Sequence, residues 1–190
     1  MTARALRSAS GADDASLIAR VAAGNLDALG ELFDRHEPDV RRLVRRLGTS
    51  PGDVDDLVQL TFVDLARSAS RFDPAYSARS WLLGIAAMTV RRHRRSLSRW
   101  FRNLAGHVFE QRRAMPRTPA EDLERAEEQA RFEDALARLP TKRRDVFVLV
   151  TMEGASGEDA AAALGIPVAT VWTRLHYARK QLRALLEEPK

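Results

Sequence analysis

No cysteine occurs among the 190 residues. Disulfides, iron–sulfur clusters, thiolate-held zinc and cysteine nucleophiles are thereby excluded together. Aromatic residues are scarce, at 6%, and the abundance of Ala, Leu and Arg favours helices over strands. No stretch approaches the roughly 18 apolar residues needed to span a bilayer. Met1–Ser10 carries Arg4 and Arg7 with no apolar core behind them, which does not suit a signal peptide. These absences lead us to expect a cytoplasmic chain without membrane insertion. The four histidines, His36, His93, His107 and His176, are scattered without metal-ligand spacing. Neither a Gly-rich phosphate loop nor a nucleophile motif occurs, so we expect no enzyme activity, no metal and no cofactor.

Acid is missing where base is dense. Between Pro74 and Phe109 there are seven arginines and no Asp or Glu, whereas Thr118 to Asp134 holds seven acids and two arginines. The net charge is +7 over residues 1–117 and −2 over residues 118–190. With a total of +5 and a pI of about 10.3, this suggests a polyanionic partner for the basic block.

The periodic segments all read as helix, giving an all-α fold of two small helical domains joined by a linker. Asp13 or Asp14 is placed to cap a first helix through Val21, with Gly24 ending it. Leu29, Leu32, Phe33, Val40, Leu43, Val44 and Leu47 recur at three- and four-residue spacings, although Pro38 inside that segment should kink or split it. Gly48–Gly52 is a turn. A third helix is expected over Asp53–Ser68, its first-turn acids suiting the macrodipole. A fourth begins near Ala78 with Trp81, Leu82, Ile85, Ala86 and Val90 inward. The resulting division is a tail at 1–13, a helical domain at 14–97, a linker at 98–118 with room for one short helix, and a second domain at 119–190. In that second domain a helix is expected over Pro119–Leu139 and another over Lys142–Met152. A short helix follows to Leu164, then Gly165-Ile166-Pro167, and a last helix over Val168–Leu186.

Ser156–Arg183 has the form of a helix-turn-helix: a short helix, a glycine turn and a basic second helix. Ala161 and Ala162 are small where the helices approach, and Pro167 prepares the second helix. Val171, Leu175, Ala178 and Leu182 face inward. Thr170, Trp172, Thr173, Arg174, His176, Tyr177, Arg179, Lys180 and Arg183 are left outward, with four cations and no acid among them. Such a helix fits the major groove, with its N-terminal half near base edges. The plainer alternative is a helical hairpin with a solvated basic face.

This stretch, with Ala135-Leu136-Ala137-Arg138-Leu139-Pro140, Asp145-Val146-Phe147-Val148-Leu149 and Gly165 through Leu175, resembles the fourth conserved region of extracytoplasmic-function sigma factors. The first domain is similar to the second conserved region of that family. Asp55-Asp56-Leu57-Val58-Gln59, Thr61-Phe62, Arg71-Phe72-Asp73-Pro74 and Trp81-Leu82-Leu83-Gly84-Ile85-Ala86 carry the match. The resemblance spans residues 14–97 and 132–186. It departs at Leu60 (usually Glu), Met88 (near a usual Asn), Ala169 (usually Gly) and Trp172 (usually a cation).

The resemblance implies a transcription-initiation factor that binds core RNA polymerase, contacts minus-10 and minus-35 promoter DNA, and is held by an anti-sigma factor. It implies polymerase docking through Asp55, Asp56 and Gln59, against helix capping as the plainer role of such acids. Minus-10 capture and melting fall to Arg71, Phe72, Tyr76, Arg79, Ser80, Arg91, Arg92, Arg94 and Arg95, where a cationic groove with stacking faces would hold unpaired bases. Trp81 is also available there, but its helical spacing with Ile85 favours core. Minus-35 reading falls to Thr170, Trp172, Thr173, Arg174, His176, Tyr177, Arg179 and Lys180, and the indole at Trp172 offers an apolar contact to a thymine methyl. Two other classes remain open: a sigma-like decoy for an anti-sigma factor, and a stand-alone helix-turn-helix regulator.

Overall fold

The computed structural model describes residues 8–104 and 123–187, with side chains over 14–97 and 127–187. Among the described residues every regular element is helical. The first domain comprises α1 (Ser8–Ala22), α2 (Leu26–Arg46), α3 (Val54–Ser68) and α4 (Ala78–Leu104). The second comprises α5 (Leu123–Arg138), α6 (Thr141–Phe147), α7 (Gly157–Leu164) and α8 (Val168–Glu187). A π-turn over Val148–Met152 continues α6.

Local chemistry sets these boundaries. Asn25 caps α2, its side chain accepting from the Ala28 N–H at 2.9 Å. Leu32, Val40, Leu43 and Val44 of α2 are almost fully buried against Leu57, Val58, Phe62 and Leu65 of α3 and Leu82, Leu83 and Ala86 of α4. Phe33 and Phe62 meet at 4.8 Å between ring centroids. Leu17 and Ile18 of α1 close the bundle.

Five expectations are corrected. First, α2 runs unbroken through Pro38. Proline there frees only the carbonyl one turn back, and Pro38 lies on the exposed face, where water can take that carbonyl. Second, Asp14 does not cap α1, which starts at Ser8. It lies within the helix as a buried carboxylate paired with His36 Nε2 at 2.9 Å and with Arg35, tying α1 to α2. The side chain of Asp13 falls outside the described residues. Third, α3 begins at Val54 after a short 3₁₀ turn, Pro51–Asp53. Asp53 makes no cap bond and faces His93 instead, at 3.3 Å. Fourth, α4 continues to Leu104, beyond the expected start of the linker; residues 105–118 of that linker lie outside the described residues. Fifth, the expected helix over Lys142–Met152 divides into α6 and the π-turn.

The two domains are in contact. Helix α4 lies across α7, and Gly84 makes the approach close: a Cβ there would stand 2.4 Å from Ala163 Cβ and 2.7 Å from its carbonyl oxygen. Arg144 of α6 reaches back to the Leu47 carbonyl at the end of α2, at 3.1 Å. The Ser77 N–H donates to Asp159 Oδ1 at 2.8 Å.

Candidate nucleic-acid interface

In the second domain, Ser156 caps α7 by accepting from the Asp159 N–H at 3.0 Å, and its hydroxyl donates to the Asp159 carboxylate at 2.8 Å. Gly165 takes the left-handed conformation (φ 63°, ψ 42°) that ends α7. Helix α8 then packs Val171, Leu175, Ala178 and Leu182 into the core, the same stripe the sequence indicates. Trp172, Thr173, His176, Tyr177, Arg179, Lys180 and Arg183 are exposed, and Thr170 and Arg174 half-buried.

Several of these side chains have partners. The Thr173 hydroxyl donates to the Ala169 carbonyl at 2.9 Å. Arg143 lies over the Tyr177 ring at 5.2 Å and donates to Gln181. Trp172 is 51% exposed, yet one edge of its indole lies on Gly157, where an added Cβ would fall 2.4 Å from the ring. The indole is therefore held in place while still presenting an apolar face.

In the first domain, Asp55, Asp56 and Gln59 lie on the outer face of α3 and are exposed. Asp55 pairs with Arg41 at 2.5 Å, and Arg41 also binds Glu37. Leu60 and Val63 extend that face with exposed apolar surface.

The residues assigned to minus-10 DNA are dispersed. Arg71 and Tyr76 are exposed, while Phe72 and Trp81 are half-buried and meet ring to ring at 5.0 Å. Ser80 is buried. Arg79 is held between Asp39 (2.5 Å) and Glu153 (2.9 Å). Arg92 pairs with Asp64, whose carboxylate also accepts from Thr89. Arg91 Nε stands 3.8 Å from Asp145 Oδ2, beyond hydrogen-bond range. Arg94 and Arg95 also have partners within the chain.

Asp145 is buried, and its Oδ2 accepts no hydrogen bond among the described residues. Burial pushes its carboxyl up to about 6, against the pull of Arg91, Arg94, Arg144 and Arg174. The neighbouring Arg144 is lowered to about 10 by burial and by the Arg94 charge, although three backbone carbonyls accept from it.

Two family models match the chain: Sigma-70 region 2 over residues 32–100 and Sigma-70, region 4 over residues 129–182. The RNA polymerase sigma factor CnrH of Cupriavidus metallidurans is 35% identical over 184 residues, covering 92% of this chain and 94% of CnrH. The chain belongs to the extracytoplasmic-function sigma factors. SigC of Mycobacterium tuberculosis, a sigma factor of that type, is 34% identical, covering 93% of this chain and 94% of SigC. Among solved structures, CnrH in complex with the cytosolic domain of CnrY superposes with a TM-score of 0.66, at 35% identity over 92% of this chain and 97% of that one. The sigma factor RpoE in complex with the anti-sigma factor NepR, from Bartonella quintana, gives 0.67 at 25% identity over 85% and 98%. As a sigma factor the chain is a transcription-initiation factor, not an enzyme, and its family binds core RNA polymerase and promoter DNA.

Sequence reasoning missed the cluster formed by Arg42, Arg46, Asp39 and Glu153. Part of its signal was available, since Arg42 and Arg46 are four residues apart and share a helix face. The acid they meet lies more than a hundred residues away, and no local pattern announces it.

Proposed function

We propose that the first domain, residues 14–97, docks on core polymerase and takes the minus-10 element, and that the second, residues 119–190, reads the minus-35 element. Asp55, Asp56 and Gln59 make the polymerase contact, on an acidic face suited to a basic partner. Arg71, Phe72, Tyr76, Arg79, Ser80, Arg91, Arg92, Arg94 and Arg95 serve minus-10 capture and melting. Thr170, Trp172, Thr173, Arg174, His176, Tyr177, Arg179 and Lys180 serve minus-35 reading. The protein works in the cytoplasm under an anti-sigma factor, a partner suggested by the RpoE–NepR relative.

The observation carrying this reading is α8, a helix whose apolar stripe is consumed by its own core and whose outward cations have no acid among them. The test is reconstitution of the full chain with bacterial core polymerase on a library of promoter fragments, followed by run-off transcription. Polymerase-dependent, fragment-specific initiation supports the proposal. Fragment-specific binding by the free chain that core polymerase neither tightens nor converts to initiation would favour a stand-alone regulator, and neither binding nor initiation would favour a decoy. Arg174→Ala should weaken binding to the selected promoter; a loss of no more than about twofold would count against a reading role for this helix.

A further inference from the structure

Arg42 and Arg46 project from one face of α2, and Arg79 enters from the first turn of α4. All three converge on the carboxylate of Glu153, whose side chain is 1% exposed. Arg42 Nη2 donates to Oε2 at 3.0 Å, Arg46 Nη1 to Oε1 at 2.5 Å, and Arg79 Nη2 to Oε2 at 2.9 Å. Arg79 Nη1 also donates to the Glu153 backbone carbonyl at 3.0 Å. The remaining acid is Asp39, 2.5 Å from both Arg42 and Arg79. Burial alone would raise the Asp39 carboxyl, but hydrogen bonds from Arg79 and Arg42 leave it lowered, so it stays ionised.

The three arginines and Asp39 belong to the first domain, and Glu153 to the second. Without Glu153 the first domain holds three permanent cations against one carboxylate, already arranged around the position of an anion. A guanidinium fork binds carboxylate and phosphate in the same geometry. The arginine side chains remain 32–41% exposed, so the cluster is open to an outside ligand once the domains part. Arg79 lies on α4, the helix that also carries Arg91, Arg92, Arg94 and Arg95.

We propose that Arg42, Arg46 and Arg79 form a backbone-phosphate site for promoter DNA on the first domain, which Glu153 fills as an internal stand-in when the two domains are closed. Closure and DNA binding then compete for the same three cations. This rests on the assignment of α4 to promoter DNA.

The test uses the full chain, alone and as holoenzyme with core polymerase, on the promoter duplex selected above. Dyes at Ala22→Cys and Ala184→Cys, in a chain with no other cysteine, report domain separation. Glu153→Gln should lower energy transfer in the free chain and tighten its duplex binding about five- to tenfold. Adding Arg42→Ala and Arg46→Ala to that variant should leave the transfer low and weaken binding at least tenfold. It should also flatten the slope of log affinity against log salt by about two, near 0.9 per lost phosphate contact. Arg42→Lys with Arg46→Lys should restore most of the slope.

The holoenzyme should show the same slope loss. The proposal is overturned if Arg42→Ala with Arg46→Ala binds duplex as well as Glu153→Gln does, because the arginines would then only latch the domains. Arg92→Ala with Arg95→Ala is the separate control. If it too leaves the slope unchanged, the assignment of α4 to DNA fails; if it flattens the slope while the α2 pair does not, the phosphate site alone fails.

Discussion

At the scale of single residues, the second domain places two demanding groups side by side. Asp145 and Arg144 are both buried and each has one polar atom without a hydrogen bond among the described residues. A carboxyl whose folded pKa lies near 6 while the unfolded chain keeps the ordinary 3.8 ionises first in the unfolded state. Stability is therefore lost as pH rises from about 4 to about 6 and levels off above that. Asp145→Asn cannot ionise, so its advantage over the wild type should be small at pH 4 and grow to as much as about 3 kcal/mol by pH 7.5. Thermal melts across that range check it; a difference independent of pH would refute it.

Trp172 provides the second prediction at this scale. Trp172→Ala should relax base preference at one minus-35 position by about 1–3 kcal/mol, as loss of a direct base contact does. Gly157→Ala, which pushes the indole off its seat, should shift the selected promoters at the same position. If the two variants select different promoters, the seat on Gly157 has no part in reading.

At the scale of elements, the legible parts are those whose cause is local. The α8 stripe of Val171, Leu175, Ala178 and Leu182 follows from helical spacing, and the turn at Gly165 from the one residue that takes a left-handed backbone without strain. The boundaries that failed depend on distant groups. Asp14 looked like a cap because an acid ahead of an apolar run usually is one, but its charge goes to His36 and Arg35 on the next helix. Val146, Phe147, Val148 and Leu149 are buried in succession, because the π-turn runs between α4 of the first domain and α7 of the second, which a one-sided amphipathic pattern cannot encode.

Gly84 gives the prediction for this scale. It stands within a string that carries the family resemblance but says nothing of what the glycine meets, and its missing side chain is what lets α4 lie on α7. Gly84→Ala should raise the helix propensity of α4 by about 1 kcal/mol while forcing the domains apart. Small-angle scattering should show a larger radius of gyration with helical content unchanged, and an unchanged radius would mean that the contact yields. Leu43→Ala, by contrast, removes a fully buried side chain at the centre of the first bundle and should cost about 2–5 kcal/mol in a denaturant titration.

At the scale of the whole molecule, the contrast between basic and acidic blocks is legible in composition, but its geometric meaning is not. The basic block does not simply face solvent. Arg42, Arg46, Arg79 and Arg91 point toward acids of the second domain, and Arg92 toward an acid of its own. Because bases come from one body and acids from the other, raising salt from 0.05 to 0.5 M should loosen closure, though less than for exposed pairs, given the burial of Glu153. A progressive fall in energy transfer between the two domains would register it, and a flat response would place the cohesion in the α4–α7 packing and the hydrogen bonds between the domains.

On the assignments proposed above, the closure of the two domains also sets an order of encounter. Helix α8 faces outward in the closed form, whereas Ser80 is buried and Arg79 is engaged. A closed chain thus offers a duplex the whole of one proposed surface and, with Arg71, Tyr76, Arg92 and Arg95 exposed but Arg79 held by Glu153, only part of the other, so the upstream element is met first and the melting surface is completed only after the two bodies part.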